Sequence, residues 1–179
     1  DGSTRAWQNY EQFLDVSGGN EATRPEAMRR LADLRLEAGE LASANLANVG
    51  MPNLDTLAAI TSYTKILEDY PNYSRRDEVL YQLARAYDSE QEFDKTLNTL
   101  DKLAENYPNS RFYSEAQFRR GEIYFTLERW IDAEQAYSAV IAAGAVSEFY
   151  EQSLYKNGWV RFKRGEYAES LESFAALLD

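Results

Sequence analysis

Apolar residues recur every three or four positions along most of this chain, which is the spacing of one face of an α-helix. Two successive runs show it: Leu80, Leu83, Ala84 and Tyr87, then Leu97, Leu100 and Leu103. The polar stretch "DSEQEF" separates the two runs, and "NYPN" follows the second, where Pro108 cannot continue a helix. The pattern therefore predicts a pair of helices joined by a short polar turn.

The pattern of this helix pair recurs along the chain. Pro71 and Pro108 both lie in "YPN" and are 37 residues apart (108 minus 71). The same step links five further columns: Tyr81, Phe118 and Tyr155; Ala84, Gly121 and Gly158; Phe93, Trp130 and Tyr167; Thr96, Ala133 and Ser170; Leu100, Tyr137 and Phe174. Because so many columns keep size and chemistry in one phase, the sequence predicts an array of repeated helix pairs.

The repeat resembles the tetratricopeptide repeat, whose pattern places aromatic, small and proline residues at fixed offsets in a helix pair. The residues that carry the resemblance are Leu80, Leu83, Ala84, Tyr87, Thr96, Leu100 and Pro108 in one unit, and Gly121, Tyr124, Ala133 and Tyr137 in the next. A further unit departs from the pattern, with Asn157 in place of leucine and Arg161 in place of tyrosine. The resemblance implies an all-α solenoid of antiparallel helix pairs wound into a right-handed superhelix.

The repeat also predicts the organisation of the chain. We expect a single array over 1–179, cut from a longer one: 1–18 as the second helix of a truncated unit, then units at 24–73, 74–110, 111–147 and 148–179. In the unit 24–73 the small residues Ala32 and Ala59 are 27 apart (59 minus 32), against 12 in the next unit (96 minus 84). The 15 extra residues, around 39–54, predict longer helices joined by a turn at "GMPN".

The composition limits the kinds of catalytic site, metal site and partner that we expect. The chain has no histidine and no cysteine, which removes the usual acyl-transfer triads and nitrogen or sulfur zinc sites. No calcium-loop or phosphate-loop motif occurs, so we expect no enzyme activity, metal or cofactor. The net charge of −11 disfavours nucleic acid, and no window is apolar enough for membrane insertion.

The resemblance implies a noncatalytic scaffold that binds a peptide or a partner helix in a concave groove made by the first helix of each unit. The candidate contact residues are Arg29, Arg30, Tyr81, Gln82, Arg85, Phe118, Arg119, Tyr155, Lys156 and Trp159. Aromatic residues alternate here with basic ones in an acidic protein, which favours a partner segment that carries apolar and acidic residues. In the alternative interpretation, Tyr81, Phe118 and Tyr155 only pack between neighbouring units.

The tyrosines and "YPNS" resemble most the tetratricopeptide modules of bacterial envelope proteins, so we expect a protein partner in the envelope or periplasm. The lysine and asparagine clamp of chaperone-tail binders is not matched, because Tyr81 and Arg85 occupy those places. One rival is a structural, self-assembling module of an envelope apparatus for polysaccharide export, pili or motility. Another is carbohydrate binding through Trp159 and Phe162. The sequence leaves the oligomeric state open.

Overall fold

A computed structural model describes residues 2–16, 23–44 and 53–178 of the chain, and within these ranges all regular structure is helical. The helices are α1 (Gly2–Val16), α2 (Arg24–Ser43), α3 (Leu54–Asp69), α4 (Arg76–Ser89), α5 (Phe93–Asn106), α6 (Tyr113–Thr126), α7 (Trp130–Ala142), α8 (Tyr150–Lys163) and α9 (Tyr167–Ala175). The predicted all-α fold class is confirmed. Each predicted unit from 24 onwards contains two of these helices.

The chain divides into two compact units, Asp1–Thr99 and Leu100–Asp179, and the division falls within α5. In the first unit, α2 packs against α1, α3 and α4. Its apolar core has these buried members: Met28, Ala32, Leu36, Ala59, Tyr63, Ile66, Val79, Leu83 and Ala86. Within each of the three helices these residues lie three or four positions apart, which is the spacing of one helix face.

In the second unit, α7 packs between α6 and α8, and α8 packs against α9. Gly121 and Gly158 allow the two helices of their pairs to approach closely. A Cβ added at Gly121 would collide with the ring of Tyr137, and one added at Gly158 would lie 2.7 Å from the ring of Phe174. A small residue is therefore needed at this column, as the repeat predicts.

The same type of turn joins the two helices of the pair in three successive repeats. Gln91, Glu128 and Gly165, each 37 residues from the next, have left-handed backbones with φ of 60°, 56° and 80°. In each turn the following N–H reaches back to a helix carbonyl, as in the bond from Glu92 N to Tyr87 O at 2.9 Å. This is the usual left-handed end of a helix, and only Gly165 adopts it without a steric cost.

The insertion lengthens α2, the first helix of the predicted repeat 24–73. α2 has 20 residues, whereas α4, α6 and α8 each have 14. Asn53 begins α3 by accepting hydrogen bonds from Asp55 N at 3.0 Å and Thr56 N at 3.2 Å, which satisfies two free donors of the first turn. Of the expected turn at "GMPN" (residues 50–53), residues 50–52 lie outside the described residues.

Candidate protein-binding surface

The structure corrects the prediction for Arg29, which lies inside the first unit and not on an exposed surface. Its side chain is 1% exposed. The guanidinium donates to Glu26 at 2.8 Å, to Asp33 at 2.5 Å and to Glu78 at 3.0 Å. A partner cannot reach this side chain, because α2 and α4 enclose it together with its carboxylates. Arg29 therefore holds α2 to α4 instead of contacting a ligand.

Tyrosines complete this buried polar network. The Tyr73 hydroxyl donates to Glu26 at 2.5 Å and accepts from Arg29 Nε at 3.3 Å, and the Tyr63 hydroxyl donates to Asp33 at 2.7 Å. Burial alone would raise the pKa of Glu26, but hydrogen bonds from Arg29 and Tyr73 outweigh it and lower the pKa to about 2. Burial raises the pKa of Asp33 against the opposing effect of the Tyr63 hydrogen bond. The network keeps Glu26 charged at neutral pH.

The other predicted residues of the first unit also have partners within it. Arg30 is 51% exposed and donates to Glu26 at 3.0 Å. Arg85 joins α4 to α2 through a 2.5 Å ion pair with Glu40 and also donates to Gln82 at 3.0 Å. Tyr81 is buried, as the packing interpretation of this column requires. This part of the predicted surface therefore offers Arg30 and half-buried Gln82 and Arg85, and no exposed aromatic ring.

In the second unit, Phe118 is half-buried and serves packing. Its ring stacks on Phe149, which precedes α8, with the ring centres 5.1 Å apart, and it also touches Tyr137 of α7. Arg119 donates to Glu115, one turn earlier on α6, at 3.1 Å. For these two residues the structure shows contacts inside the unit.

Lys156 of α8 is likewise occupied. Its ammonium donates to Glu122 of α6 at 2.9 Å and lies 5.1 Å from the ring centre of Phe125. Every basic residue of the predicted set thus has a carboxylate partner: Arg29 with Glu26, Asp33 and Glu78; Arg30 with Glu26; Arg85 with Glu40; Arg119 with Glu115; Lys156 with Glu122. An acidic partner would have to displace these internal pairs. The structure therefore gives little support to the prediction that the partner segment carries acidic residues.

The outer side of α8 is different, because it presents aromatic rings to solvent. Tyr155, Trp159 and Phe162 follow one another at helical spacing and are 47%, 37% and 46% exposed. Trp159 lies edge-on to both neighbours, with ring centres 6.2 Å from Tyr155 and 5.7 Å from Phe162. Phe174 of α9 supports Tyr155 and Trp159 from behind, at 5.9 Å from each. Two predicted residues, Tyr155 and Trp159, therefore belong to one continuous exposed aromatic surface.

α9 extends this surface with two residues that are not among the predicted contact residues. Tyr167 is 61% exposed and packs edge-on against Phe162 at 5.4 Å, and Leu171, one turn further along α9, is 70% exposed. We call Tyr155, Trp159, Phe162, Tyr167 and Leu171 the α8–α9 face. The signal for Leu171 is present in the repeat, because its equivalent 37 residues earlier is the charged Glu134.

The described parts of the chain contain no group of three or more acidic, histidine or cysteine side chains placed to hold a metal ion. None of the described helices is long and apolar enough to cross a membrane. What the surface can do is contact another molecule through apolar and aromatic side chains.

Stacked antiparallel helix pairs with an exposed aromatic face define a helical repeat protein of the kind that serves as an interaction module. The tetratricopeptide repeat-like domain family matches residues 1–163, and the chain belongs to this family. The resemblance that the sequence predicted is thereby confirmed.

Solved structures show the same fold. The crystal structure of MamA is 16% identical, with a TM-score of 0.71 over 96% of this chain and 84% of that one. The apo form of RapI is 13% identical with a TM-score of 0.74, and this chain, matched over 98% of its length, covers 48% of RapI. A tetratricopeptide repeat protein from Parabacteroides merdae is 18% identical with a TM-score of 0.66, over 98% of this chain and 65% of that one. No curated protein matches the sequence.

Proposed function

We propose that this chain is a noncatalytic protein-binding module and that the aromatic part of the α8–α9 face contacts an apolar segment of a protein partner. The observation that carries the proposal is the row of three touching aromatic side chains on α8, each more than a third exposed. The family supports the general role, because its repeats typically act as interaction scaffolds.

The chemistry of the row suits a binding surface. Tyrosine and tryptophan lose little conformational entropy when they are covered, and they are enriched among the residues that dominate interface energies. The rings also hold one another in place, since Trp159 contacts Tyr155, Phe162 and Phe174. A partner therefore meets a preorganised apolar surface, and the cost of ordering it on binding is small.

The first test identifies the partner by photo-crosslinking. A photoreactive amino acid at Gln152, which is exposed one turn before Tyr155, is expected to capture a protein from cell extracts. The captured protein is then purified, and its affinity is measured for the native chain, for Trp159→Ala and for Phe162→Ala. We expect each alanine variant to bind roughly tenfold or more weakly, the effect of an interface hot spot.

Leu57→Ala is the matched control, because Leu57 is an apolar residue of α3 that is 40% exposed and lies outside the proposed surface. It should bind like the native chain. Equal affinities of all four proteins would refute the proposal. Circular dichroism of each variant shows whether the fold is intact.

We also propose an envelope or periplasmic location, which rests on the resemblance of the tyrosine and "YPNS" pattern to modules of bacterial envelope proteins. Cell fractionation with an antibody against the native protein tests it, and recovery in the cytosolic fraction would refute it.

A further inference from the structure

The first unit has a pocket at the turn between α3 and α4, and none of the predicted contact residues lines it. Its volume is about 360 Å³, near the lower end of the range of ligand pockets, roughly 300–1,000 Å³. The start of α2 and the turn form its lining: Pro25, Asp69, Tyr70, Pro71, Asn72, Tyr73 and Ser74. A space of this size suits one long side chain or a small molecule, and it is too small for a helix.

The aromatic part of this lining is held in place. Tyr70 and Tyr73 both pack against the apolar core of the first unit. The Tyr73 hydroxyl donates to Glu26, and the Tyr73 N–H donates to Tyr70 O at 3.1 Å. Because the rings are already ordered, a ligand that contacts them loses little binding free energy to their ordering.

The charge of the lining is unbalanced. Asp69 is exposed, and within the described part of the chain its carboxylate makes no hydrogen bond or ion pair. It is the last residue of α3, where the negative end of the helix dipole disfavours a carboxylate and favours a cation. A cation in the pocket would therefore be attracted both by the Asp69 carboxylate and by the end of the helix.

The two arginines beside the pocket are used elsewhere. Arg76 donates to the carbonyl oxygens of Leu67 at 2.9 Å and of Tyr70 at 3.0 Å. Arg75 forms a 2.6 Å ion pair with Glu78. Since neither arginine pairs with the carboxylate at the end of α3, that carboxylate remains available to a ligand.

The repeat separates the residues that the turn requires from those that are particular to this pocket. The "YPN" of the turn recurs 37 residues later, at 107–109. Asp69 and Tyr73 do not recur, because the same step leads to Asn106 and Ser110. The next repeat therefore makes its turn without this carboxylate and without the second ring.

We infer that this pocket binds a guanidinium group. A guanidinium is planar, stacks on aromatic rings and pairs with a carboxylate through two parallel hydrogen bonds, which the ammonium of lysine cannot do. Tyr70 and Tyr73 supply the rings, and Asp69 supplies the carboxylate. The two prolines of the lining suit the methylene stem of an arginine side chain. The inference goes beyond the proposed function, because it concerns a different surface and does not depend on the α8–α9 face.

The guanidinium group has two sources, an arginine of a protein partner or a small molecule such as free arginine. NMR titration of the full chain tests the inference first with N-acetyl-arginine amide and with the corresponding citrulline compound, which has the same shape and no charge. The backbone amide signals of Asn72 and Ser74 report binding at the pocket. We expect the arginine compound to shift them with a Kd on the order of 1 mM, and the citrulline compound to bind at least about tenfold more weakly because it lacks the charge.

Two exposed carboxylates of α3 provide a matched pair of variants. Asp69→Asn removes the charge of the pocket and keeps the shape of the side chain, so it should weaken arginine binding about fivefold, as expected for an exposed ion pair. Glu68→Gln is the control, because Glu68 is exposed at the end of the same helix and does not line the pocket. It should bind within about twofold of the native chain, since salt screens charges outside the contact.

The source of the group is distinguished by two further probes. Tighter binding of the blocked peptide Ala-Ala-Arg-Ala-Ala than of the single blocked residue would assign the guanidinium to a protein segment. Tightest binding of free arginine would assign it to a small molecule. The inference is overturned by equal binding of the arginine and citrulline compounds, by equal effects of Asp69→Asn and Glu68→Gln, or by no shift up to about 20 mM arginine. Shifts of the same signals by inorganic phosphate and not by arginine would assign the pocket to an anion and also overturn it.

Discussion

Replacing Arg29 by methionine should destabilise the first unit more than any change at an exposed arginine. Methionine keeps much of the apolar length of the side chain, so little cavity is left, and the main loss is the positive charge. That charge faces Glu26, Asp33 and Glu78 at 2.5–3.0 Å. Without it, the three carboxylates face one another with no positive charge between them.

The size of the effect follows from what remains of the network. Removing one partner of a buried ion pair costs about 3–5 kcal/mol. Glu78 keeps a 2.6 Å ion pair with Arg75, and Glu26 keeps Arg30, so the lower limit applies. Asp33 keeps only the Tyr63 hydroxyl among the contacts of this network. About 3 kcal/mol in a chain of this length lowers the melting temperature by roughly 6–12 °C.

Thermal unfolding followed by circular dichroism at pH 7 measures this loss. Arg30→Met is the matched control, because Arg30 bonds the same Glu26 from an exposed position. Its loss should stay below about 1 kcal/mol. Equal melting temperatures of the two variants, or an Arg29→Met protein as stable as the native chain, would show that the buried ion pairs contribute no net stability.

Four further substitutions test the structure. The pKa of Glu26 in the folded state is about 2, below its ordinary 4.5, so this group stabilises the fold above pH 4.5 and the stabilisation is lost as pH falls towards 2. In urea unfolding, Glu26→Gln should therefore reduce the loss of stability between pH 6 and pH 3 by about 1 kcal/mol, allowing for solvent screening. An unchanged loss would contradict the assignment. Asn157→Leu should raise the free energy of unfolding by about 1 kcal/mol, because the buried Asn157 Oδ1 accepts no hydrogen bond from the described residues; a lower melting temperature would count against this. Glu128→Gly should stabilise by up to about 1 kcal/mol and Gly165→Ala destabilise by a similar amount, since both positions have left-handed backbones; urea unfolding that shifts both in the same direction would refute the argument.

The regular part of the fold could be predicted from the sequence because it depends on local spacing. Phe93, Trp130 and Tyr167, one column of the repeat, are the first residues of α5, α7 and α9. The small-residue column is explained by the close approach of Gly158 to Phe174. Helical spacing and the 37-residue step carry this information within a few turns of chain, and no distant contact is needed to interpret it.

The candidate site was predicted less well, because exposure depends on residues far away in sequence. When the 15-residue insertion is added to the step of 37, Arg29 takes the place of Tyr81 in its repeat (81 minus 52). It is nevertheless a buried charge, because Glu78, 49 residues later, reaches it from α4. Leu171 shares a column with Glu134, and only the structure shows that α8 covers Glu134 while Leu171 is 70% exposed. Periodicity assigns a side of a helix, whereas tertiary contacts decide whether that side is covered.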